Sequence, residues 1–116
     1  MGKKCIGIDV GGTTVKVGMF ELDGTLVKKW EVPTRKEENG KYILPDVAAS
    51  IRKVLNEQNI SLNEVAGAGL GIPGPVLPNG FVEVCVNLGW REMNPQEILS
   101  GLLDGMTVKT GDRKSV

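Results

Sequence analysis

Six residues able to hold a phosphate or a metal fall within one short stretch, IGIDVGGTTVKVG at positions 6–18: Asp9, Gly11, Gly12, Thr13, Thr14 and Lys16. Alternation along a strand turns Cys5, Gly7 and Asp9 to one face and Ile6, Ile8 and Val10 to the other, so a carboxylate stands at the end of an apolar strand. Burying that charge without a partner is costly, and Mg²⁺ or a water bound to it is the partner that best offsets the cost. The alternative is an Asp that only caps the turn. Gly11 and Gly12 lack a Cβ, which lets the backbone take positive φ and converge its N–H groups on an anion, with the Thr13 and Thr14 hydroxyls beside them. The same Gly-Gly pair also makes a plain hairpin turn, so at this level a phosphate cradle and a simple reversal both stand.

Other chemistries lack their residues. There is no histidine in the 116 residues, which removes Ser-His-Asp triads, HExxH zinc sites and any imidazole acid–base pair. Cys5 and Cys85 form no CxxC pair and read as two reduced, buried thiols of a cytoplasmic protein. No GxxxxGK[ST] occurs, so a P-loop is excluded. GLGIPG (Gly69, Gly71, Gly74) matches the dinucleotide motif literally, but Pro73, Pro75 and Pro78 forbid the helix that motif must open. Fourteen basic and fourteen acidic residues cancel, which leaves no electrostatic footprint for nucleic acid. The apolar run after MGKK is too short for a signal or a membrane span, so small molecules or protein are the expected partners.

The elements that must position these residues follow from spacing. Apolar runs and turns predict an antiparallel meander of three strands at 4–10, 14–20 and 25–32, with LDG at 22–24 as the second turn. Val47, Ile51, Val54 and Leu55 recur at helical intervals and predict a helix over 44–58 with Pro45 in its first turn. AGAGLGI (66–72) reads as a buried strand, IPGPVLPNG as a loop, and FVEVCV (81–86) as a strand leading into NLGW. Asn94 is the expected N-cap of a helix over 94–105, with Pro95 at its first position, Glu97 three residues after the cap and Gly105 near its stop; MTVKT (106–110) is the last strand. The order predicts an α/β layer fold in a single domain.

Asp9-Val-Gly11-Gly12-Thr13-Thr14-x-Lys16-x-Gly18, then GIPGPV (71–76) and NLGW (87–90), resemble the ROK family of sugar kinases, and most closely its glucokinases. The resemblance spans residues 5 to about 110 and implies a ribonuclease-H-like first lobe of the actin and hexokinase type, whose first turn holds ATP phosphates. It implies ATP-dependent phosphorylation of a hexose, glucose to glucose 6-phosphate. Asp9 would sit near Mg²⁺; Gly11, Gly12, Thr13 and Thr14 would bind phosphate; Gly71, Pro73 and Gly74 would line the sugar pocket, with Asn87 a further sugar-side residue. Lys16 is either a phosphate contact or a solvated strand lysine, and Trp90 either stacks on a sugar or packs.

The resemblance also implies parts that lie elsewhere. In the family an Asn-Asp pair follows the strand matching MTVKT, and that Asp takes the proton from the attacking hydroxyl. Here Thr110 is followed by GDRKSV, read as a non-matching tail over 111–116. The general base, the second lobe and the family's His/Cys zinc cluster are expected outside this chain, leaving an incomplete, inactive fragment of a protein that forms homo-oligomers at full length. The competing readings are a ROK-type transcriptional regulator, which carries a helix-turn-helix ahead of the first motif, a non-catalytic nucleotide-binding fragment, and another actin-like ATPase.

Overall fold

The computed structural model describes residues 3–112. Strands β1 (Lys4–Val10), β2 (Thr14–Glu21) and β3 (Leu26–Pro33) form the expected meander. A four-residue element, α1 (Glu37–Gly40), then leads into the long helix α2 (Ile43–Glu57), and a 3₁₀ turn at Leu62–Glu64 into β4 (Val65–Ile72). The hairpin β5 (Val82–Cys85) and β6 (Trp90–Met93) precedes α3 (Pro95–Leu102) and β7 (Val108–Asp112).

One five-stranded sheet runs in the order β3-β2-β1-β4-β7. β1 pairs antiparallel with β2 but parallel with β4, and β4 parallel with β7, so the sheet is mixed and β5 and β6 stand apart as a small second sheet. Ile6, Ile8 and Val10 of β1, Val15, Val17 and Met19 of β2, and Ala68, Leu70 and Ile72 of β4 all turn to one face, where they meet Val47, Ile51, Val54 and Leu55 of α2 and Leu99 of α3 in a single core. That agreement of two periods, 2 in the strands and 3.6 in the helix, fixes which sheet face is buried. The opposite face carries Cys5, Gly7, Asp9, Lys16, Gly18, Gly69 and Gly71, and no described helix covers it.

Three local expectations differ from the structure. The last strand begins at Val108, not Met106, because Met106 is buried below the α3–β7 turn and Thr107 lends only its carbonyl to Ala68 N–H before the ladder starts; the strand then continues through Gly111 and Asp112. The expected tail therefore begins inside β7, and positions 113–116 lie outside the described residues. Cys85 is buried as expected, but Cys5 is only half-buried because it faces the uncovered side. α3 is shorter than expected, ending at Leu102, where Gly105 N–H reaches back to Ser100 O at 2.8 Å with Gly105 at φ 87°. No helix among the described residues is long and apolar enough to cross a membrane.

Candidate functional site

The β1–β2 turn is held from both sides by backbone. Gly11 N–H donates to Thr14 O (3.1 Å), Thr34 N–H donates to Thr13 O (3.0 Å), and the Thr34 hydroxyl donates to Gly11 O (2.8 Å). Gly11 and Gly12 do not use the left-handed φ open to them, since among the described glycines that region is occupied by Gly24, Gly40, Gly80, Gly89 and Gly105. The turn is stapled by Thr34 and closes without a left-handed residue. Gly11 N–H is spent inside the turn. The Gly12 and Thr13 amides, by contrast, donate to no backbone carbonyl among the described residues. A Cβ built on Gly12 would meet nothing within 4 Å among the described residues, so their packing does not require glycine there.

Asp9 is exposed at the end of β1, opposite Lys16 on one side and Gly71 on the other. Lys16 is opposite Glu31 in turn, giving a cross-strand row of alternating charge, Asp9, Lys16, Glu31, which favours the reading of Lys16 as a strand lysine balanced by its neighbours. A cleft of about 910 Å³ lies over the uncovered face, and Asp9, Lys16, Gly71, Thr110 and Gly111 border it. Gly69, Gly7 and Gly18 follow one another across three strands and form its floor. The Thr110 hydroxyl is buried without a hydrogen-bond partner among the described residues, while Thr110 N–H donates to Gln96 Oε1 at 2.9 Å.

Gly71, Pro73 and Gly74 leave the end of β4 beside Asp9, and this loop rests on Cys85. The Cys85 thiol lies 3.8 Å from Pro73 O, and a Cβ on Gly74 would stand 3.5 Å from Cys85 Sγ. Burial pushes the Cys85 thiol above its ordinary pKa, against the opposing pull of the Leu88 and Asn87 amides. Asn87 is exposed in the turn that follows Cys85, so its link to the loop runs through that buried thiol. Trp90 is 1% exposed and packs, donating its indole N–H to Gly40 O at 3.1 Å. The structure thus brings Asp9, Lys16 and Gly71 to one cleft, whereas Gly11–Thr14, Pro73, Gly74 and Asn87 are not among its lining residues.

Thr34, Gln96 and Cys85 are structural members of the site that motif reading missed. Thr34 was findable from strand register, since pairing Thr14 with Pro33 sets the next residue against the turn. Gln96 had no such signal. Its Oε1 accepts from Thr110 N–H in β7 and packs against Gly80, where a Cβ would stand 2.7 Å away.

Among the described residues no group of three or more His, Cys, Asp or Glu side chains converges to hold a metal ion by itself. That fits Mg²⁺ carried on a nucleotide, which needs one or two protein carboxylates and takes its other ligands from phosphate and water. Asp9, with the open Gly12 and two uncommitted amides beside it, meets that description.

Comparison with known proteins bears on the family and the fold. The ROK family profile matches residues 5–110. A glucokinase of Halalkalibacterium halodurans is 40% identical over 88 residues, covering 75% of this chain and 27% of that protein. A glucokinase of Thermotoga maritima is 33% identical over 112 residues, 95% of this chain and 32% of that protein. Among solved structures, the ROK hexokinase of Thermus thermophilus superposes with a TM-score of 0.77 at 28% identity, over 94% of this chain and 35% of the other. The chain thus spans about a third of the length of the relatives it matches, and its mixed sheet is the first-lobe fold of the actin and hexokinase-like ATPases. The chain belongs to the ROK family.

Proposed function

We propose that the chain is the phosphate-holding lobe of an ATP-dependent hexokinase of glucokinase type, acting on glucose in the cytoplasm. The observation that supports this most is the β1–β2 turn: Gly12 open to the outside and two uncommitted amides next to an exposed carboxylate. Two glucokinase relatives above 30% identity supply the reaction class.

In this reading the Gly12 and Thr13 amides, with the Thr13 and Thr14 hydroxyls, hold phosphate oxygens. Asp9 accepts hydrogen bonds from water around Mg²⁺ or binds the ion directly. Mg²⁺ bound with ATP supplies neutralisation of phosphate charge. The Gly71–Gly74 loop brings backbone against the sugar, and Asn87 offers one donor and one acceptor to its hydroxyls. The γ-phosphoryl group passes from ATP to a sugar hydroxyl, leaving ADP, and the hydroxyl proton goes to a general base. Thr110 is followed by Gly111 and Asp112, without the family's Asn-Asp pair. Phosphoryl transfer rests on groups positioned around both reactants, and a general base alone contributes about 10²–10⁴-fold. The 116-residue chain therefore binds Mg·ATP but turns over little or not at all.

The test pairs calorimetric titration of Mg·ATP with sugar-dependent ADP release. Binding that Asp9→Asn or Gly12→Val abolishes, together with glucose-dependent release near the no-sugar control, supports the reading. Absence of Mg·ATP binding overturns the phosphate assignment, and turnover that requires glucose overturns the claim that the base lies elsewhere.

A further inference from the structure

The uncovered sheet face is made of transverse rows that register fixes. In the strand order β3-β2-β1-β4-β7, one row reads Lys29, Gly18, Gly7, Gly69 and Lys109. The next row on the same face reads Glu31, Lys16, Asp9, Gly71 and Gly111. Glycine inside a strand weakens it, and it recurs where another backbone or a ligand comes close. A Cβ on Gly69 or Gly111 would meet nothing within 4 Å among the described residues, so their packing calls for glycine at neither position. Lys29 and Glu31 are both exposed and form no ion pair among the described residues.

The two rows are complementary to each other. A two-fold axis crossing the strands between them lays the first row of one copy on the second row of another, like strand over like strand. Lys29 then meets Glu31 of the second copy, and by symmetry this happens twice. Lys16 and Asp9 project over Gly18 and Gly7 of the second copy, and Lys109 over Gly111, so each charged side chain finds an opposite charge or a bare glycine. The other two-fold, with its axis along β1, sets Lys29 against Lys109 and is disfavoured by like charge. Parallel strands also ordinarily have both faces covered, and a second sheet packed face to face supplies that cover. We propose that this face binds a second copy of the chain as a closed two-fold dimer, with two Lys29–Glu31 pairs across the interface fixing its register. Five strands spaced about 4.8 Å apart make a face about 24 Å wide, at the small end of specific interfaces, so the dissociation constant is expected at about 10 μM.

The test is sedimentation equilibrium of the 116-residue chain without nucleotide, so that its outcome is independent of the phosphate reading. The variants are Lys29→Glu, Glu31→Lys and the double exchange, all at exposed positions where substitution leaves the fold intact, with urea midpoints of dilute samples as the check. The expected result is a reversible monomer–dimer equilibrium. Each single change weakens it at least about tenfold by setting like charges together at two places, and the double exchange returns it to within about threefold of the parent. A chain that stays monomeric up to about 500 μM overturns the proposal. So does a dimer that Lys29→Glu leaves unchanged, which uses another surface, and so does one that Lys29→Glu strengthens, which uses the axis along β1. Single changes that the double exchange does not rescue overturn the cross-interface pair. Assembly that grows past the dimer with concentration overturns the closed two-fold.

Discussion

Gly12 and Gly40 are both glycines in tight turns, yet they are glycine for opposite reasons. At Gly40 the chain itself fills the space: Leu88 O and the Trp90 ring leave no room for a methyl group, and φ is positive. Gly40→Ala is expected to destabilise by about 2–4 kcal/mol, from overpacking and a left-handed Cβ together, read as a lowered urea midpoint. At Gly12 no protein atom is near, so Gly12→Ala should leave the urea midpoint within about 1 kcal/mol of the parent while Mg·ATP affinity falls. Equal destabilisation by the two changes would show that the turn is a structural reversal and nothing more. The cysteines divide similarly. Cys5 is half-exposed on the uncovered sheet face, whereas Cys85 is buried and its thiol is pushed up by burial. Thiol labelling in mild alkali should therefore run in two phases, Cys5 first, because the thiolate is the reactive form. Since the folded Cys85 pKa is raised, folding stability should also fall as pH rises from the unfolded thiol pKa towards the folded one, a slope that Cys85→Ala removes.

At the scale of elements, strands and helices were legible because burial follows period. The alternation in β1, β2 and β4 and the spacing of Val47, Ile51, Val54 and Leu55 each point to one buried face, and the structure joins those faces in one core. The α3 cap was equally legible: Asn94 accepts from Glu97 N–H at 3.1 Å with Pro95 at the first position. Its amide also donates to Asn79 O at 3.1 Å, so Asn94→Ala is expected to cost somewhat more than the ~1 kcal/mol of an ordinary cap, measured by urea unfolding. The α1 turn was not legible, since nothing in KEENGK announces three left-handed residues in a row. Its conformation is imposed by Trp90 and Leu88, about fifty residues later, and no local propensity encodes a contact of that range. The Tyr42 hydroxyl holds the Glu38 carboxyl below the ordinary carboxylate range. A depressed carboxyl contributes fully at neutral pH and loses its contribution as pH falls through that range. Tyr42→Phe should therefore move the Glu38 carboxyl titration upward in an NMR pH series, and an unmoved titration would mean that the turn is closed by Gly40 and Trp90 alone.

For the whole molecule, the decisive fact is that one sheet face is packed and the other is open. β1, β4 and β7 run parallel, and parallel strands ordinarily have both faces covered. Here one face lies under α2 and α3 while the other carries the glycine-floored cleft with Asp9 at its border. The described residues thus share one core, and Asp9 lies on the exposed border of the cleft. The Asp-Gly-Gly-Thr motif drew attention to this turn from sequence, but backbone bonds such as Gly11 N–H to Thr14 O leave no trace in residue type. A ligand bound only by the folded rim must stabilise the fold by mass action. At a Mg·ATP concentration ten times its dissociation constant the gain is about 1.4 kcal/mol, which for a domain of this size raises the melting temperature by roughly 5 °C. Mg·ATP should produce that rise in the parent chain and none in Gly12→Val or Asp9→Asn. ATP with EDTA should give a smaller rise than Mg·ATP, because Asp9 repels a phosphate whose charge no cation offsets. A rise of equal size with and without Mg²⁺ would remove Asp9 from the metal's surroundings and leave the amides of Gly12 and Thr13 as the whole of the phosphate site.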